Sequence, residues 1–433
     1  MNNKFSKYVH FLEVGGKHFA FNVKDSSAVA LNSKLYRFLT DNRDNTALVG
    51  KTSPALYEAL VKAEMIVPRD KDESKELIET FRRQESSPDY FGIIVNPTLD
   101  CNLRCWYCYE SHSHGSMMNE TTANAVKALI DDKLTQPELR RLSLSFFGGE
   151  PLIGWDKVVM PLLTYATERC REKNIRFSTG FTTNGVLLDS RKLDDLASLG
   201  LGGTNFQISF DGHRPFHDVS RVGENRRPTY DRILGNLIEA AKRGFSITMR
   251  FNYTPDTVDS FADIFSDLES LLPAEFKSNI KCNFQQVWQT TDNGADVKTK
   301  AMELARVFND GGYATDTDVI FHRHVCYADC ENSIVVNYNG DLYKCTAREF
   351  SPETREGLLT PDGKVEWNER FAKRMERKFA DQACAVCDIM PICHSGCTQN
   401  KLEREITGLC PLGKSDEDKH HYLLEALTKK IFK

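Results

Sequence analysis

No apolar run in this 433-residue chain approaches the length needed to cross a bilayer. Excess positive charge is also missing. The 56 Lys and Arg against 61 Asp and Glu leave a net charge of −5, which removes the electrostatic case for nucleic acid or an anionic membrane as partner. The opening stretch, MNNKFSKYVHFLEV, lacks the apolar centre of a signal peptide, so the cytoplasm is the expected compartment. Disulfides are disfavoured there. The thirteen cysteines are therefore expected as metal ligands or as buried apolar residues. One more absence is local. Cys101, Cys105 and Cys108 stand in the run CNLRCWYC, and no fourth cysteine accompanies them. A structural zinc site wants four ligands, and so does a four-iron cube. Three thiolates leave one metal position open.

What is present divides the chain. Residues 1–67 read as a small α+β unit. HFLEVGGKHFAFNV is a hairpin pattern around Gly15-Gly16, and SSAVALNSKLYRFLT and SPALYEALVKAEMI look helical. Residues 68–90 are densely charged and read as a solvated linker helix. From Phe91 to residue 310, six strand patterns alternate with six helix patterns, among them NETTANAVKALIDDKL, which Asn119 is placed to cap. Such a series predicts a parallel sheet with right-handed crossovers, either open or closed into a barrel. Residues 311–433 carry eight further cysteines. Cys170 and Cys282 stand alone and are expected to pack in the core.

Ligand-binding residues in such folds gather at the carboxyl ends of the strands. The three cysteines follow the first strand, and Gly148-Gly149-Glu150-Pro151 follows the second. Thr182–Gly185 follows the third, Ser209–Gly212 ends the fourth, and Arg250 and Asn252 lie on the fifth. Alone, TNG and FDG are ordinary turn sequences; together they mark one rim.

C-x3-C-x2-C with Tyr107 before its last cysteine, followed by GGEP, resembles the radical S-adenosylmethionine (SAM) enzymes. The resemblance implies an α/β fold with a partial (β/α)6 TIM-type barrel. It implies a [4Fe–4S] cluster on Cys101, Cys105 and Cys108 whose fourth iron chelates SAM. The electron it supplies would split SAM into a 5′-deoxyadenosyl radical that abstracts hydrogen from unactivated carbon. Gly148 and Gly149 are then expected to allow close backbone approach, and Glu150 to accept from the SAM ammonium. Tyr107 is expected near the adenine, Asn184 and Ser209 near the ribose, and Arg221 on the methionyl carboxylate or in a surface ion pair. Asp211 reads equally as a contact or a turn residue, and His112 and His114 as loop residues. No catalytic base is assigned.

The tail spacings are Cys326-x3-Cys330-x14-Cys345 and Cys384-x2-Cys387-x5-Cys393-x3-Cys397-x12-Cys410. They resemble the iron–sulfur SPASM extension of peptide-modifying radical enzymes. By that resemblance Cys326, Cys330, Cys345 and Cys397 hold one auxiliary cluster, and Cys384, Cys387, Cys393 and Cys410 hold a second. Three [4Fe–4S] clusters and SAM are the cofactors implied. The N-terminal unit is similar in topology to the winged-helix-like domain that binds leader peptides, and a plain stabilising appendage is the other reading. Relatives that oxidise a sulfatase carry Asp after the cysteine matching Cys345, where this chain has Thr346. The implied activity is cross-linking of a ribosomally made precursor peptide, through a thioether or C–C bond. Sulfatase-type oxidation and epimerisation are the alternatives. The implied partners are the peptide and a reductant such as flavodoxin or ferredoxin, with no nucleic acid and no membrane. A non-catalytic iron–sulfur electron carrier is the reading from a different class.

Overall fold

The computed structural model describes residues 2–223, 226–290, 295–317, 325–404 and 410–431. Its packing separates into two units. One comprises Met1–Ser86, Ile320–Cys330 and Ala372–Lys433; the other comprises Ser87–Val319 and Glu331–Phe371.

In the first unit, β1 (Asn3–Phe5) pairs with β5 (Ile66–Pro68), while β2 (Val9–Val14), β3 (Lys17–Asn22) and β4 (Ser27–Leu31) form an antiparallel sheet in the order 2-3-4. Gly15 and Gly16 turn the β2–β3 hairpin with φ of 57° and 72°, the left-handed pair that a two-residue hairpin needs. Three helices fill the rest: α1 (Ser33–Asp41), α2 (Thr46–Thr52) and α3 (Pro54–Lys62). The helix expected from Ser26 onward starts only at Ser33, because Ser27–Leu31 pairs with β3 and Asn32 caps α1 by accepting from the Leu35 N–H. The charged stretch expected to be a solvated linker forms α4 (Glu73–Glu85), and Leu77 and Phe81 on one face of it are buried. They share a core with Tyr8, Leu12, Phe19 and Phe21 from the hairpin side, and with Ile389, Met390, Ile392, Leu423 and Leu427 from the end of the chain.

In the second unit, β6 (Tyr90–Val95), β7 (Arg141–Phe146), β8 (Arg176–Thr183), β9 (Asn205–Phe210), β10 (Ser246–Tyr253), β11 (Ile280–Gln286) and β12 (Ala314–Thr317) lie parallel in sequence order. The connecting helices are α5 (Glu120–Lys133), α6 (Met160–Glu172), α7 (Ser190–Ser198), α8 (Arg214–Ser220), α9 (Tyr230–Lys242), α10 (Phe261–Leu271) and α11 (Ala295–Asp310). This is the α/β, partial-barrel class that the strand–helix alternation predicts, with β12 as a seventh parallel strand beyond the six expected. Beyond β6 the sheet continues through β13 (Ser333–Val336), parallel to it, then antiparallel β14 (Asp341–Tyr343), β15 (Gly357–Leu359) and β16 (Val365–Trp367). The segment 311–433, expected as one domain, therefore divides: residues 331–371 pack with the barrel and residues 372 onward with the first unit.

Strand alternation sorts the two faces of the barrel sheet. Leu142, Leu144 and Phe146, then Phe206, Ile208 and Phe210, then Ile247, Met249 and Phe251 are buried in one core. Their neighbours Ser143, Ser145, Gln207, Ser209, Thr248 and Arg250 are half-buried on the opposite face. Cys170 and Cys282 lie in the core as expected. Asn119 caps α5, accepting from the Thr122 N–H at 2.9 Å.

Candidate functional site

The loop after β6 carries the first cysteines: Cys101 is buried, Cys105 half-buried and Cys108 exposed. Asp100 ties the loop back on itself, accepting from the Cys101 N–H at 2.9 Å and from the Gly115 N–H at 3.0 Å. The Leu103 N–H lies 3.4 Å from the Cys101 sulfur. Burial pushes the Cys101 thiol up to about 12 and Cys108 up to about 11. It also raises Cys105, against the pull of the Arg221 charge. Metal binding must displace those protons.

The turn after β7 is zipped onto this loop. The Gly149 N–H donates to the Thr98 carbonyl at 3.1 Å and the Glu150 N–H to the Asp100 carbonyl at 2.8 Å. Gly148 has φ of 102°, and a Cβ on it would run into the Thr98 carbonyl; one on Gly149 would run into the carbonyls of Leu99 and Asp100. The close approach these glycines permit is thus to the chain's own cysteine loop.

Glu150 is fully buried, and its carboxylate accepts from the Leu152 N–H (3.0 Å), the Thr183 hydroxyl (2.8 Å) and the Asn184 N–H (2.8 Å). Burial raises its pKa against those donors. Since a carboxylate has about four acceptor positions, about one is left for a ligand. Asn184 donates to Asn102 Oδ1 at 2.8 Å and approaches the Cys101 sulfur at 3.7 Å. Its side chain orients the cysteine loop, where a ribose contact was expected.

Tyr107 enters a network absent from the sequence reading. Its hydroxyl donates to Asp211 (2.8 and 2.9 Å) and accepts from Arg221 Nη1 at 2.9 Å and Asn252 Nδ2 at 3.0 Å. Ser220 also donates to Asp211, at 2.9 Å. Arg221 is 6% exposed, so it makes no surface ion pair. Burial works against its charge, but Cys105, Tyr107, Asp211 and Cys101 hold the guanidinium well above its usual range. Among the described residues its Nε has no partner. One buried donor thus remains for an anionic ligand beside the three thiols. Ser209 stands half-buried on β9, in register with Arg250 of β10. His114 pairs with Asp100 at 3.1 Å, and His112 is half-buried in the same loop.

Four of the later cysteines, Cys384, Cys387, Cys393 and Cys410, line one cavity with Ile389, Met390, Pro411, Leu412 and the lysines Lys414 and Lys419. Burial pushes the Cys393 thiol up to about 12. Cys326 and Cys330 flank a single turn, Tyr327–Asp329, in the same unit, and Asp329 pairs with the buried Lys378. Cys397 belongs to that unit too, whereas Cys345 lies in the barrel unit, its sulfur 3.4 Å from the Ala347 N–H. Among the described residues no three His, Cys, Asp or Glu converge as a single-ion site.

The donor sets fit iron–sulfur clusters: three thiols on one loop beside a buried guanidinium, and four thiols around one cavity with lysines at its wall. Sequence reasoning found the thiols by spacing. It placed Asn252 on the rim but missed its bond to Tyr107, and it missed Ser220, which nothing in the local sequence signals.

Residues 95–268 match the family model of the radical SAM superfamily. The chain is 30% identical over 177 residues to Fe-coproporphyrin III synthase of Methanosarcina barkeri, covering 41% of this chain and 40% of that protein. It is 21% identical over 364 residues to the radical SAM cyclopropyl synthase TigE of Paramaledivibacter caminithermalis, covering 76% and 72%. Among solved structures, native anSMEcpe with bound AdoMet superposes with a TM-score of 0.59 at 17% identity, covering 78% of this chain and 98% of that one. Streptococcus suis SuiB bound to precursor peptide SuiA superposes with a TM-score of 0.52 at 12% identity, covering 94% and 99%. At these identities the structural likeness concerns the fold. No described helix is long and apolar enough to cross a membrane.

Proposed function

We propose, on the premise that this chain belongs to the radical SAM superfamily, that it is a maturase that modifies a ribosomally made precursor peptide, forming an intramolecular thioether or C–C cross-link. The observation that carries the reading is the pairing of two unlike thiol sets. Three cysteines share a loop held by Tyr107, Asp211 and Arg221, and four line a separate cavity. An electron carrier needs only fully ligated clusters; it has no use for a three-thiol loop beside a buried guanidinium.

The cofactor pair of cluster and SAM supplies reductive C–S cleavage and a hydrogen-abstracting radical. Cys101, Cys105 and Cys108 would hold the first cluster, and Cys384, Cys387, Cys393 and Cys410 an auxiliary one. Cys326, Cys330, Cys345 and Cys397 make up the third set. The protein's own work is positional. Glu150 fixes the turns after β7 and β8 against the cysteine loop. Arg221 offers its free Nε to the SAM carboxylate, and the last acceptor position on Glu150 suits its ammonium. Ser209 and Arg250 stand in register on the half-buried polar face of the sheet. The substrate class leans on printed descriptions of relatives: SuiB with a precursor peptide bound, and TigE as a cyclopropyl synthase. Thr346 speaks against sulfatase-type oxidation. Residues 1–67 would receive the leader by strand addition to the sheet edge, and a flavodoxin or ferredoxin would deliver electrons.

The test is reconstitution followed by turnover with SAM, dithionite and a candidate precursor peptide. Full loading should give about twelve irons per chain. Replacing Cys101, Cys105 and Cys108 with Ala should remove about four of them and abolish 5′-deoxyadenosine release. A cross-linked peptide is lighter by two hydrogen atoms. An unchanged iron count in the triple variant, or no 5′-deoxyadenosine from the wild type, rules the reading out.

A further inference from the structure

Beside the four-cysteine cavity lies a buried ammonium group. Lys401, on the short helix Thr398–Glu403, is 3% exposed. Its Nζ donates to the Ser395 hydroxyl at 2.6 Å and to the Lys378 carbonyl at 2.8 Å, and lies 3.9 Å from the Cys384 sulfur. An ammonium has three donors, so the first two go to neutral oxygens and the third to sulfur. Burying a charge is costly unless a counter-charge meets it. The neighbouring buried Lys378 does not compete for Cys384, because its own ammonium is satisfied by Asp329 and lies 3.7 Å from Glu85. Lys414 and Lys419 also line the cavity; both are half-buried, and their charges act on Cys410 and, for Lys419, Cys387 rather than on Cys384.

We propose that Lys401 is a positioning residue that sets the reduction potential of the cluster held by Cys384, Cys387, Cys393 and Cys410, through a buried positive charge and an N–H···S contact on Cys384. The inference rests on the reading that these four thiols hold a cluster. Hydrogen bonds to sulfur, net charge and exposure tune such clusters, and a charge inside the protein is screened far less than one at the surface. Reduction adds negative charge. A fixed cation beside one ligand therefore favours the reduced state and raises the potential.

The experiment uses the full-length reconstituted protein with Lys401→Met and Lys401→Arg, counting iron and following each cluster by EPR in a redox titration. The Met variant should keep its iron, while one cluster's reduction equilibrium falls at least tenfold, about 59 mV for one electron. The Arg variant, which keeps the charge, should hold that potential near the wild-type value. An iron-replete Met protein with every potential unmoved overturns the inference. Should the Met variant lose iron, the Arg variant decides. Full iron with an unmoved potential supports the inference; full iron with a lowered potential, or iron loss in both variants, overturns it. Failure of the cluster reading itself would show separately, as a Cys384→Ser, Cys387→Ser double variant with undiminished iron.

Discussion

His217 has no room for a second proton. It is fully buried between the rings of Phe210 and Tyr230, and the Asp211 N–H points at its Nδ1 from 3.5 Å. Nδ1 is therefore the acceptor, and Nε2 carries the hydrogen with no partner among the described residues. Burial, and then the Arg221 charge, lower its pKa well below the usual range. In the unfolded chain the same imidazole takes a proton near pH 6.5. Below that pH the unfolded state binds the extra proton, so stability is complete above about 6.5 and is lost as pH falls through it. The slope from this one group approaches about 1.4 kcal/mol per pH unit. Urea midpoints of the iron-free chain between pH 7.5 and 5.5 should decline more steeply for the wild type than for His217→Gln; parallel declines would show that the imidazole titrates freely. The consequence reaches the site, because His217 shares α8 with Ser220, and Arg221 follows directly.

At the level of elements, the cysteine loop is held by turns more than by strands. The turn after β7 lies so close to residues 98–100 that a methyl group on Gly149 has nowhere to go. Overpacking of this kind costs about 1–3 kcal/mol, and here the strain falls on the loop that carries Cys101. Gly149→Ala should therefore lower both the unfolding midpoint and the iron content by up to about four atoms per chain, read by iron analysis after identical reconstitution. Much at this level was legible beforehand. The six expected strands were readable because parallel strands alternate over short, turn-bounded runs, and the α5 cap because Asn119 sits one residue before its helix. Ser27–Leu31 misled because five residues with several small apolar side chains suit a helix as well as a strand, and only pairing with β3 decides. The buried stripe of α4 was hidden by composition: Leu77 and Phe81 are four apart and surrounded by charge. At the site, spacing exposed the thiols. Spacing cannot reveal that Tyr107 and Arg221, 114 residues apart, share a hydrogen bond, since that depends on where β9 and α8 bring the chain.

For the molecule as a whole, the decisive fact is which segments share a core. A sequence partition that sets residues 1–67 apart suggests that they can be removed to test leader recognition with the remainder intact. The packing argues otherwise. Tyr8, Leu12, Phe19 and Phe21 are buried against Ile389, Met390, Leu423 and Leu427, and Ile389 and Met390 also line the four-cysteine cavity. Lys7 reaches the same segment, donating to the Ala385 carbonyl at 2.9 Å, one residue after Cys384. Exposing even four such large side chains forfeits roughly 1.5–3 kcal/mol each, comparable to the whole margin of a typical domain. A chain starting at residue 68 should therefore lose about four irons from the Cys384–Cys410 set while keeping the Cys101 cluster, which iron analysis and EPR would separate. Peptide affinity measured on that truncation would confuse recognition with unfolding. Leader binding is better probed by introducing a charge or a proline on β4, an outer strand of the 2-3-4 sheet, for instance at the exposed Ala30 (Ala30→Pro), and the iron count should stay whole.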